Sequence, residues 1–567
     1  IFEGLMESWK LNIKNSWFIV DYNRQSLDKP TEDNHFRLID RMFSANKWQV
    51  YVLKYGKRLE AAFRGPGGKS LRRWVNGIDN FTYSTLSFQG GNAFRTKIHQ
   101  DIGSELGIAE FLSSHTDESL FSILTNLAGH DFNVLFEAFE DAAKTDKPAC
   151  FIIYTLKGYS LPIQGHRDNH GLLLSQKQID QYREQLSIPL GEEWGKYPNF
   201  SPERQALIQN YVTNAPYNNT APRNYTPYTE VIDIPEVLPC RVDKKMSTQS
   251  AFGQIMVEIG KSKEPFAERV ITMAPDVTTS TNLSGFLNLR GMFSMEEMKD
   301  LAKEQKIMSM NKWEGRPKGQ HIQLGIAENN LMSLLAAAGH SSFLFGQRLL
   351  PIGTVYDPFI SRALDAMNYG CYIDSRFMLV ATPSGLTLSR EGGAHQSIYT
   401  PLIGMGQPGI IHLEPAYADE LALVMAWGLK HMQKLDGASI YLRLSTRPLH
   451  QDNRQFSEKD QQDCLSGAYW RVPPKKTTPP NKRGQKKKGK QPTILMFCGA
   501  VAPEARAAYE QLTLDHPNLP LSLLQVLSPD LLYSDFQERG ENSHISELLR
   551  EGGGREAKVV CVYDSHP

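Results

Sequence analysis

The sequence has no excess of either charge, because its 62 lysines and arginines are balanced by 62 aspartates and glutamates. A balanced chain has no global attraction for nucleic acid, so we expect no nucleic-acid partner. It also contains no apolar run approaching the ~20 residues that a membrane-spanning helix requires. We therefore expect no membrane partner.

Cysteine is scarce, and its spacing argues against two kinds of small fold. None of the six cysteines forms a C-x-x-C pair or a spacing typical of zinc ligands, so neither a zinc ribbon nor a disulfide framework is expected. This pattern is typical of a reducing compartment. We predict a cytoplasmic protein whose thiols are mostly buried.

Length and composition indicate a globular chain of several domains. The chain has 567 residues, of which 41% are hydrophobic, enough for about three or four domains. Strand-like and helix-like patterns alternate along it, which predicts an α/β fold of successive doubly wound domains with mainly parallel sheets. We place the first domain at 1–235, the second at 240–450, a basic Pro/Gly linker at 471–491 and the third domain at 492–567.

The predicted elements follow from hydrophobic periodicity. The clearest strands are expected at residues 17–22, 48–53, 149–155, 270–273, 377–382, 439–444, 493–499 and 558–563. The clearest helices are expected at residues 5–13, 38–43, 119–127, 133–143, 252–259, 329–338, 418–432 and 502–512. Because the chain starts without a methionine and stops just after a strand, we expect both ends to be cuts in a longer protein.

A single acid, Glu328, lies between an apolar strand-like run and a helix-like run. A carboxylate there would be held at the carboxyl end of a strand, where open α/β sheets bind their ligands. The alternative from local sequence is an acid in the first turn of a helix, where the helix dipole favours it. Both interpretations stay open on these residues alone.

The surrounding motifs resemble those of a known superfamily. Gly-Ile-Ala-Glu at 325–328 resembles the signature of thiamine-diphosphate enzymes of the transketolase and 2-oxo acid dehydrogenase type, and residues 348–359 and 391–396 continue the resemblance. It covers most of the chain and is closest to the homodimeric pyruvate dehydrogenase E1 type. The resemblance implies a transketolase-like fold, thiamine diphosphate as cofactor, and contact between Glu328 and the cofactor's aminopyrimidine.

A polar segment after the first predicted strand contains Asn23 and Gln25. Amide oxygens suit Mg²⁺, although a turn in which Asn23 and Asp28 satisfy backbone groups is the local alternative. The pattern N-x-Q-x-L-D resembles half of the thiamine-diphosphate motif, which implies that both residues bind the metal and the cofactor. The other half, Gly-Asp-Gly, would precede Ile1, so we expect these 567 residues to bind cofactor poorly.

Two histidine segments carry further expectations. Gly-His-Asp at 129–131 resembles the mobile loop of E1 enzymes, which implies that His130 helps to transfer an acyl group, whereas the local alternative is a helix cap by Asp131. Gly-His-Arg-Asp-Asn-His-Gly at 165–171 lacks a third zinc ligand. It resembles a transketolase segment in which His170 would donate towards phosphate or substrate.

The remaining candidates lie in the second predicted domain. The resemblance implies that Asp276 is near the substrate, that Tyr356 and Phe359 line the pyrimidine pocket, and that His395 faces the reacting carbonyl. Local alternatives are a helix cap for Asp276 and a core pair for the two aromatic residues.

These residues predict an E1 of a 2-oxo acid dehydrogenase complex. It would decarboxylate a small 2-oxo acid, pyruvate or 2-oxobutyrate, and pass the acyl group to a lipoyl-bearing E2 acyltransferase, acting as a homodimer. Val277 and the segment after His395 depart from the pyruvate enzymes, which leaves the 2-oxo acid open. The alternatives are a transketolase and an inactive paralogue or scaffold.

Overall fold

The computed structural model describes residues 2–27, 29–215, 218, 231–298, 301–308, 312–387, 392–452, 454, 456–475 and 491–565. The chain forms two compact units, Ile1–Pro222 and Arg223–Pro567. Asp28 and Glu391 of the predicted motifs, and most of the predicted linker (476–490), lie outside the described residues.

The first unit is built on a three-stranded parallel sheet in the order β1-β3-β2. The strands are β1 (Trp17–Tyr22), β2 (Gln49–Leu53) and β3 (Ala149–Tyr154). All six residues of the apolar central strand β3 are buried. The helices are α1 (Phe2–Lys10), α2 (His35–Ala45), α3 (Lys57–Ala62), α4 (Gly68–Gly77), α5 (Asn80–Gln89), α6 (Gly91–Ile102), α7 (Ile108–Ser113), α8 (Asp117–Leu124), α9 (Phe132–Ala143), α10 (Gln176–Gln185) and α11 (Pro202–Thr213).

The second unit contains an eight-stranded sheet, all of whose described pairs are parallel, in the order β11-β12-β10-β9-β5-β8-β6-β7. Its strands and those of a short antiparallel β4–β13 pair are β4 (Lys245–Met246), β5 (Val270–Pro275), β6 (Met292–Phe293), β7 (Gly315–Arg316), β8 (His321–Leu324), β9 (Leu350–Val355), β10 (Met378–Ala381), β11 (Ile410–Leu413), β12 (Ser439–Arg443) and β13 (Leu449–His450).

A four-stranded sheet in the order β14-β16-β15-β17 completes this unit. Its strands are β14 (Ala468–Val472), β15 (Thr493–Cys498), β16 (Leu521–Val526) and β17 (Lys558–Val562). Only β14 is antiparallel to its neighbour, and it lies before the predicted linker in sequence. The first two residues of the predicted linker, 471 and 472, therefore belong to this sheet.

Thirteen described helices accompany these sheets. They are α12 (Thr248–Lys261), α13 (Pro265–Arg269), α14 (Ser284–Arg290), α15 (Leu301–Glu304), α16 (Glu328–Gly339), α17 (Ser341–Phe345), α18 (Leu364–Tyr372), α19 (Thr400–Gly406), α20 (Ala418–His431), α21 (Glu458–Leu465), α22 (Ala502–Asp515), α23 (Pro529–Arg539) and α24 (His544–Glu551). None of the described helices of the chain combines the length and apolarity that crossing a membrane demands.

The eight-stranded sheet is covered on both faces. Successive residues of a strand point to opposite faces, and Met378 and Val380 of β10 join one buried cluster with α12 and α20. Leu379 and Ala381 join another cluster with α16 and α18. This double cover explains the uninterrupted apolar run of β10 and confirms the predicted α/β class with mainly parallel sheets. The division at 235, 240–450 and 492–567 stays a prediction.

Candidate active site

Three predicted site residues follow neighbouring strands of the eight-stranded sheet. β8 and β9 both pair with β5 in parallel, with Leu324 opposite Pro275 at the carboxyl ends. Asp276 follows β5 directly, Tyr356 follows β9 directly, and Glu328 comes four residues after β8. Because parallel strands end at the same edge of a sheet, these side chains arise from one edge, the usual ligand-binding edge of an open α/β sheet.

Glu328 is the first residue of α16 and is buried, with 6% of its surface exposed. Its Oε1 accepts a hydrogen bond of 3.0 Å from Nη1 of Arg362, whose side chain is 55% exposed. The two local interpretations of Glu328 therefore both hold, because it lies in the first turn of a helix and also at the sheet edge. Among the described residues, the arrangement keeps a buried carboxylate beside the cationic Arg362.

An aromatic cluster adjoins this ion pair. Ring centroids lie 6.0 Å apart for Tyr356 and Phe359, 5.1 Å for Tyr356 and His395, and 5.8 Å for Phe359 and His395. The guanidinium carbon of Arg362 lies 4.4 Å from the centroid of the Phe359 ring. The structure thus brings the four predicted residues Glu328, Tyr356, Phe359 and His395 into one cluster.

Sequence reasoning missed Arg362, which links the acid to the rings. A short 3-10 helix, Asp357–Ala363, places Arg362 three residues after Phe359, and residues at this spacing eclipse one another in such a helix. A charge three residues from an aromatic residue is a weak signal, since the sequence does not show that the intervening turn has this form.

Asp276 has a left-handed backbone, with φ at +62°, and its side chain is exposed. Its Oδ1 accepts a hydrogen bond of 2.9 Å from Nε2 of Gln323 on β8. It caps no described helix, so the local alternative for this residue is wrong. A non-glycine residue in this conformation is uncommon, although aspartate tolerates it better than most.

A buried histidine lies behind Gln323. His321 is fully buried, and its ring nitrogens lie 2.9 Å from the Thr272 hydroxyl and 3.0 Å from the Thr278 hydroxyl. Burial lowers the pKa of His321 to about 4. Thr278 also donates to the Oε1 of Gln323, so a neutral polar chain runs from the core to the amide that holds Asp276.

In the first unit, Asn23 and Gln25 follow β1 as predicted. The Oδ1 of Asn23 accepts from the backbone N–H of Gln25 at 3.0 Å, which is the turn contact that local sequence favours. The Nε2 of Gln25 donates to Ser84 and Gly165, while its Oε1 is buried without a hydrogen-bond partner among the described residues.

Oε1 of Gln25 shows whether this segment suits a metal ion. An amide oxygen left without a donor is a suitable ligand for Mg²⁺. The described residues contain no group of three or more His, Cys, Asp or Glu side chains placed to hold a metal. The buried amide oxygen of Gln25 therefore fits Mg²⁺ in kind, and the remaining ligands would come from phosphate or water.

His130 lies where β3 ends and is half-buried. Its Nε2 accepts a hydrogen bond of 2.9 Å from the backbone N–H of Leu156, and its ring stacks on Tyr159 at 3.6 Å. Burial lowers the pKa of His130 to about 4, against the opposing effect of Asp21. In this conformation burial therefore favours the neutral ring.

Two neighbours of His130 are also informative. Asp131 accepts from the backbone N–H of Asn133 and so caps α9, as the local alternative proposed. His130, Asp131 and Tyr159 line a cavity of about 870 Å³. His170 lies exposed in a turn, and no residue that the structure describes makes a hydrogen bond with its ring.

Comparison with known proteins gives a family match over much of the second unit. The family model for the pyruvate dehydrogenase E1 component middle domain matches residues 240–446. This range contains Asp276, Glu328, Tyr356, Phe359 and His395. The pyruvate dehydrogenase E1 component of Corynebacterium glutamicum is 23% identical over 465 residues, covering 76% of this chain and 48% of that protein. This chain is a relative of the pyruvate dehydrogenase E1 component.

Two other curated proteins are also similar in sequence to this E1 relative. The Pseudomonas aeruginosa E1 component is 23% identical over 440 residues, covering 74% of the chain and 48% of that protein. The Haemophilus influenzae E1 component is 20% identical over 523 residues, covering 89% of the chain and 56% of that protein. The E1 relative therefore spans about half the length of the curated proteins that it matches.

Solved structures show its fold. Transketolase from Leishmania mexicana superposes with a TM-score of 0.63 at 15% identity, covering 100% of this chain and 66% of that one. Transketolase from Campylobacter jejuni superposes with a TM-score of 0.60 at 15% identity, covering 100% and 68%. The E1 relative has the transketolase-like fold that its sequence motifs predict.

Proposed function

We propose that this E1 relative carries out thiamine-diphosphate-dependent decarboxylation of a small 2-oxo acid and passes the acyl group to a lipoyl-bearing E2 acyltransferase. The observation that supports this most is the cluster of Glu328 with Tyr356, Phe359 and His395 at the carboxyl edge of the eight-stranded sheet. The E1 names of the curated relatives support the same class of reaction.

Bound thiamine diphosphate would supply a nucleophilic carbon and an electron sink for the loss of carbon dioxide. Glu328 would hold a proton at the pyrimidine nitrogen N1′, a role that its buried position suits because few waters compete for the carboxyl group. Phe359 and Tyr356 would hold the pyrimidine ring by stacking. His395, beside both rings, would donate towards the oxygen of the reacting carbonyl.

The other predicted residues have supporting roles in this proposal. Asp276, held by Gln323, would orient the substrate, and His170 would donate towards phosphate or substrate oxygen. His130 would serve acyl transfer after leaving its bond to Leu156, and the cavity beside it is large enough for an acyl-bearing arm. Asn23 and Gln25 would hold Mg²⁺ and, through it, the cofactor.

The partners and setting belong to the same proposal. A homodimer in the cytoplasm, acting with a lipoyl-bearing E2, agrees with the E1 names of the relatives and with six cysteines that form no disulfide. Val277, the residue after Asp276, is apolar where the pyruvate enzymes carry an acid. We therefore propose pyruvate or 2-oxobutyrate as substrate.

The test is an assay of the full-length protein with thiamine diphosphate and Mg²⁺. We would follow ferricyanide reduction with pyruvate, 2-oxobutyrate and 2-oxoisovalerate, beside a ketol-transfer assay with sugar phosphates. Turnover of a 2-oxo acid alone supports the proposal and ranks the substrates. Ketol transfer alone would instead make the protein a transketolase, and activity in neither assay would favour an inactive paralogue.

A matched pair of variants ties the activity to the site. Glu328→Ala should abolish turnover, because it removes the buried carboxyl group that would hold the proton at N1′. Glu547→Ala removes an exposed acid from α24 and should leave turnover unchanged. Full activity of the Glu328 variant would contradict the assignment of its role.

A further inference from the structure

One guanidinium in the second unit makes two contacts of different kinds. Nη1 of Arg362 donates to Oε1 of Glu328 at 3.0 Å. The same group lies over the ring of Phe359, 4.4 Å from its centroid. A planar, cationic donor is therefore held between a carboxylate and an aromatic face, an arrangement in which arginine is favoured over lysine.

These contacts are the ones that the proposed function assigns to the pyrimidine ring of thiamine diphosphate. That ring is also planar, offers a nitrogen to Glu328 and stacks on Phe359. Oε1 of Glu328 and the face of Phe359 that the guanidinium covers can each serve only one group at a time, so a pyrimidine ring that takes both contacts must displace Arg362. The guanidinium and the pyrimidine ring are therefore mutually exclusive in this arrangement.

We propose that Arg362 is a specificity-determining residue of the pyrimidine site, which competes with the cofactor ring for Glu328 and Phe359. The inference rests on the proposed function. Arg362 then weakens cofactor binding, and a bound pyrimidine must displace its side chain into solvent. A ligand displaces Arg362 only if it both bonds Glu328 and stacks on Phe359. Arg362 therefore discriminates against ligands that make one of these contacts without the other.

The surroundings of the pair make such an exchange feasible. The side chain of Arg362 is 55% exposed, whereas that of Glu328 is 8% exposed. The cation therefore reaches water by side-chain rotation alone, without unfolding of the short helix that carries it. Glu328, in contrast, is buried and stays in place, and it needs a hydrogen-bond partner whichever group fills the site.

The test measures binding and not turnover. Isothermal titration calorimetry of the full-length protein with Mg²⁺ would compare wild type with Arg362→Met, which keeps an unbranched stem like that of arginine and removes the charged guanidinium. Arg362→Lys keeps the charge and loses the planar stacking. Arg550→Ala, an exposed change on α24, is the control variant. Thiamine diphosphate is one ligand, and inorganic diphosphate, which lacks the ring, is the other.

We expect Arg362→Met to lower the Kd for thiamine diphosphate about tenfold, since a half-exposed ion pair and a cation–π contact are no longer displaced. Arg362→Lys should fall between it and wild type. The Kd for inorganic diphosphate should not change. The gain should shrink at high salt, which already weakens an exposed ion pair.

The opposite results are separable. Unchanged or weaker binding of thiamine diphosphate by Arg362→Met overturns the competition and leaves the proposed function standing. Equally tighter binding of inorganic diphosphate by the same variant also overturns it, because the effect then does not depend on the pyrimidine ring. Absence of thiamine diphosphate binding by wild type and every variant removes the proposed function and the competition together.

Discussion

Replacing Arg443 with methionine should destabilise the second unit severely. Arg443 lies on β12 and is fully buried, as is its partner Asp357. Its Nε donates to Asp357 at 3.0 Å and its Nη1 donates to Glu414 at 2.9 Å. Methionine fills a similar volume, so the main effect is the loss of one positive charge between two buried carboxylates.

The magnitude follows from burial. Removing one member of a buried ion pair costs about 3–5 kcal/mol, because the remaining charge is left uncompensated. Arg447→Met is the matched control, since Arg447 pairs with Glu504 on the surface, with 30% and 53% of the two side chains exposed. Such exposed pairs are worth about 0.2–1 kcal/mol. The two substitutions should therefore differ by at least about 2 kcal/mol.

The loss should also depend on pH. Burial raises the pKa of Glu414, and Arg443 opposes this. Without the guanidinium that pKa rises further, so the folded variant binds a proton that the unfolded chain releases above its ordinary pKa of about 4.3. The free energy of unfolding of the variant should therefore fall further below wild type at pH 7.5 than at pH 5.5.

Urea unfolding followed by circular dichroism at both pH values would measure these differences. The shift of the transition midpoint, multiplied by the mean slope, gives the change for each variant. Two variants within about 1 kcal/mol of each other would refute the reasoning. So would a deficit for Arg443→Met that stays constant between the two pH values.

Two further predictions concern histidines. His412 is fully buried and burial lowers its pKa to about 3, so its contribution to stability falls as the pH drops below about 6.5, where the unfolded chain binds a proton that the folded ring does not. Between pH 7 and pH 5, the free energy of unfolding should therefore fall by about 2 kcal/mol less in His412→Leu than in wild type. Urea unfolding at the two pH values measures this difference, and equal falls would contradict the low pKa. His130→Ala should spare ferricyanide-linked decarboxylation yet reduce acyl transfer to a lipoyl carrier, measured in parallel assays. Equal loss in both assays would remove the role assigned to His130.

Much of the fold can be predicted from the sequence because its signals are local. β1 has the bounds that periodicity predicts, and β3 and β10 differ by a residue at one or both ends. β9 was not predicted as a strand, although all six of its residues are buried. Its second and fourth residues are Pro351 and Gly353, which are depleted in strand interiors, so local propensity hides a strand that burial between β5 and β10 imposes.

Part of the candidate site could likewise be predicted from the sequence, and part could not. Glu328, Tyr356, Phe359 and His395 were selected because each lies in a motif, and the structure brings them together. The partners of Arg443 lie 86 and 29 residues away in sequence, so no local window identifies that charge as buried and paired. The low pKa of His130 likewise depends on burial, which sequence spacing does not reveal.

The position of the antiparallel strand β14 indicates how the chain would behave if it were cut into two fragments. It enters the four-stranded sheet from the amino-terminal side of residues 476–490, while β15, β16 and β17 all come from the other side. A peptide-bond cut within 476–490 would give one fragment that lacks an edge strand and another that carries this strand as a donor. The sheet itself would then hold the two fragments together, in the manner of split-protein complementation.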